Sequence, residues 1–160
     1  MSLCSQQYEY IKSQVTSVQI KFLSGEDNVE RWTQQRHWKV VLRSVSVVVS
    51  TYQILYDALS HGFVRMESLA LIIFDEGKEF QTSYHRGSKH TKNIRFKAHN
   101  CVGKHPGSKI MENFYHTRKR SDLPTPHILG LTASPVMRSN PTSLGKIENT
   151  LDAICKYFIE

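Results

Sequence analysis

Four runs of the chain are apolar at nearly every residue or at every second one, and segments with helical spacing lie between them. VQIKFL at 18–23 alternates and closes at Ser24-Gly25, which predicts a strand ended by a turn. VSVVVS at 45–50 is an apolar β-branched run, the pattern of a strand covered on both faces. LALIIFD at 69–75 and HILGLTA at 127–133 are two further apolar strands. Leu3, Tyr8, Ile11 and Val15 fall at roughly helical spacing, so residues 3–14 are expected to form an amphipathic helix. Asn28 can cap a second helix through VERWTQQRHWKVVL, with Val29, Trp32, His37 or Arg36, and Val40 near one stripe. ILYDALSHG is a short helix stopped at Gly62. Near the end of the chain Asn140 or Thr142 can cap a helix that Pro141 suits, and Leu144, Ile147, Leu151, Ile154 and Phe158 form its apolar stripe.

Strands that alternate with helices imply right-handed crossovers and a mostly parallel sheet, an α/β architecture. In such a sheet the functional residues gather at the carboxyl ends of the strands, where Asp75, Glu76, Thr132 and Ser134 stand. One segment breaks the pattern. Residues 77–97, GKEFQTSYHRGSKHTKNIRFK, have neither helical nor strand periodicity and are rich in Lys, His, Ser, Thr and Gly, so they read as a loop or disordered insertion.

Composition narrows the picture. The 160 residues are 39% hydrophobic and 22% charged, a globular balance that suits one domain. No run of 18 apolar residues occurs and the first residues carry no apolar signal core, so the expected location is intracellular, cytoplasmic or nuclear, with no membrane partner. Cys4, Cys101 and Cys155 are far apart and odd in number, which favours reduced thiols over a zinc site or a disulfide framework. The net charge of +7 is concentrated in the insertion, where six cations face one acid and contribute +5. The remaining +2 does not by itself argue for nucleic acid. Trp32 and Trp38 are read as packing residues in preference to base-stacking platforms.

The motifs say more. LIIFDE at 71–76 ends a strand in paired acids, AHNCVGKHP occupies 98–106, and the two joined across the insertion read DEAH; LGLTASP follows at 129–135. With SLCSQQYEYIKSQ, IKFLSGEDNVERW, VVVSTYQILYDAL, HPGSKIMENFYH and SLGKIENTLDAICK, these motifs make the chain resemble the N-terminal DEAH-box helicase region of fungal Dicer-like proteins. The resemblance implies a partial RecA-like, P-loop-NTPase-type lobe of superfamily-2 helicases spanning motifs Ia to III over residues 1–160, with a mostly parallel sheet flanked by helices. It also implies ATP and Mg²⁺ as cofactors, double-stranded RNA as partner, and a part in RNA silencing and antiviral defence. Asp75 matches the acid that holds Mg²⁺ through the nucleotide, and Glu76 the carboxylate that positions the attacking water. His99 matches the residue that senses the nucleotide, coupled to the hydroxyls of Thr132 and Ser134. Ser50, Thr51 and Gln53 match a segment that lies along the nucleic-acid backbone; a strand-end hydroxyl cluster is the alternative.

Within these residues there is no G-x-x-x-x-G-K-[ST] loop to cradle phosphates, and a second RecA-like lobe is missing. The expectation is therefore a helicase and ribonuclease fragment that is inactive alone. The insertion reads as a retained intron: Gly77-Lys78 can encode a splice donor, Lys97-Ala98 an acceptor, and 21 codons keep the frame. RIG-like and Hef-like helicases share similar motifs, and a pseudogene or gene-model product of such a helicase is a related alternative. A non-enzymatic fragment that binds RNA or Dicer is the alternative from another class.

Overall fold

A computed structural model of the chain describes residues 3–25, 34–75, 105–131 and 142–156. The insertion at 77–97, Glu76, His99, Cys101, Thr132, Ser134, Asn28, Trp32, Asn140, Pro141 and Phe158 lie outside the described residues. The elements run in the order α1 (Leu3–Gln14), β1 (Ile20–Leu23), α2 (Gln35–Leu42), β2 (Val47–Ser50), α3 (Tyr52–Ser60), β3 (Leu71–Asp75), α4 (Pro106–Ile110), a π turn (Met111–Tyr115), α5 (His116–Arg120), β4 (His127–Leu131) and α6 (Thr142–Leu151).

The four expected strands form, and both pairings are parallel. They make two short pairs, β1 with β2 from Ile20↔Val47 to Leu23↔Ser50, and β3 with β4 from Leu71↔His127 to Asp75↔Leu131. Helix α3 bridges the pairs. Its Ala58 is buried with Leu23 and Trp38 against β1, while its Leu59 is buried with Ile72 and Phe74 of β3. The larger core continues through Ile110 and Met111, both fully buried, and Leu151 of α6.

The strands are covered less completely than their apolar runs suggest. Ile72 and Phe74 are buried, but Leu71, Ile73, Leu129 and Leu131, the alternate positions, are 44–51% exposed. In β2, Val48 lies beside Lys21 in the register and is 42% exposed, so the expectation of a strand covered on both faces is corrected. The Leu23 end of that face packs against Trp38 and Ala58. The opposite face of β1 is met by α1, whose Tyr8 ring stacks on Phe22 at 5.6 Å.

Two helices depart from the sequence pattern. Gln34 is extended (φ −114°, ψ 130°) and its carbonyl accepts the first new bond from His37 N–H at 3.0 Å, so no continuous helix runs over 29–42. Helix α2 also turns a different stripe inward. Val40 is 75% exposed, whereas Trp38 is buried and stacks on Phe63 at 5.9 Å. The bulky indole gains more from that pocket than the valine would, and Trp38 is thereby a packing residue, as expected.

Helix α6 stops at Leu151 rather than running to Phe158, and Ile154 is 83% exposed. Its stop is a left-handed residue, Asp152 (φ +52°), followed by a six-to-one bond from Ala153 N–H to the Glu148 carbonyl. Gly62 (φ +68°) ends α3 and Asp122 (φ +52°) ends α5 in the same way, with Phe63 N–H reaching Ala58 and Leu123 N–H reaching Arg118. Asp152 is held from outside its helix. The Tyr115 hydroxyl donates to its Oδ2 at 3.0 Å and Lys119 Nζ donates to the same oxygen. The Lys119 hydrogen bond holds the Asp152 carboxyl below the ordinary carboxylate range, while burial, with help from Asp152, pushes the Tyr115 phenol up.

Candidate functional site

The carboxyl ends of β2 and β3 form the described part of the site. Asp75 is the last residue of β3, half-buried, and Ser50 is the last residue of β2. Thr51 follows as the N-cap of α3, where its hydroxyl accepts weakly from Ile54 N–H at 3.4 Å. Gln53 sits in the first turn and donates from Nε2 to Asp57 Oδ1, one turn on, at 2.8 Å. In the β3–β4 register Asp75 stands opposite Leu131, the residue before Thr132 in the chain. Of the residues singled out from sequence, Asp75, Ser50, Thr51 and Gln53 are therefore placed. Glu76, His99, Thr132 and Ser134 are outside the described residues.

One side chain joins the two strand ends. Tyr52, the first residue of α3, donates its hydroxyl to the carbonyl of Asp75 at 2.7 Å. Its ring stacks on Phe74 at 5.8 Å and forms a T-shaped contact with the His105 imidazole at 5.0 Å. His105 is itself fixed, because its Nδ1 accepts from Gly107 N–H at 3.1 Å and so caps α4, with Pro106 in the first helical position. Tyr52 and His105 were not singled out by the sequence reading. The signals available were weak: a tyrosine directly after a strand-end Ser-Thr, and a His-Pro pair before a helix.

The chemistry of the Asp75 donor fits Mg²⁺. Its oxygens are hard ligands at the end of a strand, and no Lys or Arg forms a salt bridge with them among the described residues. Among the described residues no three His, Cys, Asp or Glu side chains come together as a metal cage. No helix there is long and apolar enough to cross a membrane.

Short parallel strands joined through helices, with Ser50 and Asp75 at strand carboxyl ends, make an α/β fold. The crystal structure of the Pyrococcus furiosus Hef helicase domain superposes with a TM-score of 0.61 at 21% identity, covering 94% of this chain and 25% of that one. No protein-family model matches the chain. In sequence it matches the fungal Dicer-like proteins over nearly its whole length. Dicer-like protein 2 of Pyricularia oryzae is 44% identical over 156 residues, 98% of this chain and 9% of that protein. Dicer-like protein 2-1 of Aspergillus niger is 42% identical and Dicer-like protein 2 of Aspergillus fumigatus 44% identical, each over 158 residues. The chain thus spans about a tenth of the length of the curated relatives it matches.

Proposed function

We propose that the chain is a segment of a Dicer-like, ATP-dependent helicase lobe that engages double-stranded RNA in RNA silencing, including antiviral defence. The observation that carries this reading is the juxtaposition of Asp75 with the Ser50–Gln53 turn, bridged by Tyr52. It brings the residue assigned to the nucleotide beside the segment assigned to RNA. Asp75 would hold Mg²⁺ through the nucleotide, Glu76 would orient the attacking water, and His99 would link the nucleotide to Thr132 and Ser134. Mg²⁺ held there would supply positive charge to the nucleotide's phosphates. Ser50 and Thr51 would meet RNA phosphates with their hydroxyls; that of Thr51, which accepts an amide proton, keeps its own proton to donate.

With no G-x-x-x-x-G-K-[ST] loop in these residues, we assign no hydrolysis to the chain by itself. Residues 77–97 are proposed to be an insertion into the DEAH motif, not a working part of it.

A titration of labelled duplex RNA tests the RNA assignment, comparing the chain with its Ser50→Ala, Gln53→Ala double variant at two salt concentrations. Weaker binding by the variant at both is expected; equal binding sinks the assignment. The inactivity is tested by phosphate release. RNA-stimulated release that disappears in Glu76→Gln would overturn it.

A second reading, a non-enzymatic fragment that binds RNA or Dicer, is favoured by the half-exposed apolar positions Leu71, Ile73, Leu129 and Leu131. In that case RNA or Dicer binding is indifferent to ATP and Mg²⁺.

A further inference from the structure

We infer that Tyr52 is a positioning residue that couples the RNA-facing turn to Asp75, an assignment that rests on the proposed roles of residues 50–53 and Asp75. Tyr52 lies between Thr51 and Gln53, so a phosphate that draws the start of α3 toward itself moves Tyr52 as well. The tyrosine cannot absorb that movement by turning its ring. Phe74 stacks on it, and the His105 ring meets it at 76°. His105 is in turn held by its cap bond to Gly107.

The displacement therefore passes along the hydroxyl, which is 2.7 Å from the Asp75 carbonyl. That carbonyl belongs to the residue assigned to the metal. Its peptide unit is planar, so a shift of the oxygen turns the whole unit and with it the backbone that carries the Asp75 carboxylate. The placement of that carboxylate is what such a coupling would control. Tyr52 acts through the Asp75 backbone.

The test separates coupling from packing. Tyr52→Phe keeps the ring between Phe74 and His105 and removes only the hydroxyl. Uniformly ¹³C,¹⁵N-labelled full chain, wild type and Tyr52→Phe, is titrated with a short blunt-ended duplex RNA while NMR follows the amides of Thr51 to Gln53 and the Asp75 carbonyl. The expected result is that RNA shifts both sets in the wild type. In Tyr52→Phe the Thr51–Gln53 shifts and the RNA affinity persist, and the Asp75 shift is lost. A second variant, His105→Asn, retains a side-chain cap for α4 but frees one side of the ring, and should weaken the Asp75 shift without abolishing it. An Asp75 shift of undiminished size in Tyr52→Phe overturns the coupling. So does a wild type in which RNA moves Thr51–Gln53 and leaves Asp75 unmoved, with the RNA assignment intact. A wild type in which RNA moves neither set overturns both.

Discussion

The Tyr115 hydroxyl donates to the Asp152 carboxylate at 3.0 Å across 37 residues of sequence, and Lys119 shares the same oxygen. This cluster fixes the end of α6 against the π turn and α5, and it makes stability depend on pH. Asp152 is held below its ordinary pKa, so its contribution is present above the unfolded carboxylate pKa and is lost as pH falls through the folded value. Lys119 and Tyr115 are raised, so theirs are present below their unfolded values and lost as pH rises through the folded ones. Asp152→Asn should cost about 0.5–1 kcal/mol at neutral pH, a surface-type pair being worth little more, and nothing well below about pH 4. Denaturant melts across pH check this; a variant deficit that persists in acid would show the charge to be irrelevant.

The two left-handed aspartates separate backbone strain from side-chain partners. Asp122→Gly relieves a conformation that suits glycine and should stabilise by about 0.5 kcal/mol. Asp152→Gly gains the same relief but forfeits Tyr115 and Lys119, so it should be neutral or destabilising. Equal responses in urea melts would mean that the Asp152 partners contribute nothing.

Gly130 is required by close approach. A Cβ there would lie 2.8 Å from Leu151 Cδ1, and Leu151 is only 7% exposed, with little room to withdraw. Gly130→Ala should cost about 1–3 kcal/mol by overpacking. In a Leu151→Ala background the same change should cost far less, and additive losses in a thermal-melt cycle would refute the clash.

Trp38 tests core against surface. Buried with Leu23 and Ala58, it should lose about 3–5 kcal/mol as Ala. Trp38→Phe, which preserves stacking on Phe63, should lose far less, and its duplex-RNA affinity should equal that of the wild type. A fall in RNA affinity at unchanged stability would revive a base-stacking role.

Deleting residues 77–97 removes six cations and one acid. Nonspecific RNA binding should weaken and its salt dependence should flatten, because phosphate contacts release counterions in proportion to their number. Undiminished binding by the shortened chain would place the RNA affinity in the lobe itself.

The strands and α3 were legible because local pattern and burial agree there: alternating Ile72 and Phe74 face the core, and Gly62 takes the left-handed turn its position needs. Asp75 was legible for the same reason, as the acid that ends an apolar strand. The end of α6 was not, because the stripe through Ile154 continues past a stop that Asp152 makes with partners far away in sequence. The inward stripe of α2 was misread because Trp38 is chosen by Phe63, which lies beyond β2 and α3. No local pattern announces the Tyr52–Asp75 bond either, since it spans 23 residues and joins the first residue of α3 to the last of β3.

The π turn at Met111–Tyr115 makes this helix tolerant of chain length in a way that substitutions would not reveal. A π turn winds its residues more loosely than an α turn and so takes up surplus chain without turning the residues beyond it. Losing one residue there restores ordinary winding, and the tighter turn of the residues that remain offsets nearly all of the rotation lost. His116 and Arg118 then keep the faces that meet the Thr150 carbonyl and Glu67. A single-residue deletion in this stretch is thus expected to cost less than one within α3, which carries no surplus chain and where everything downstream would turn by about 100°.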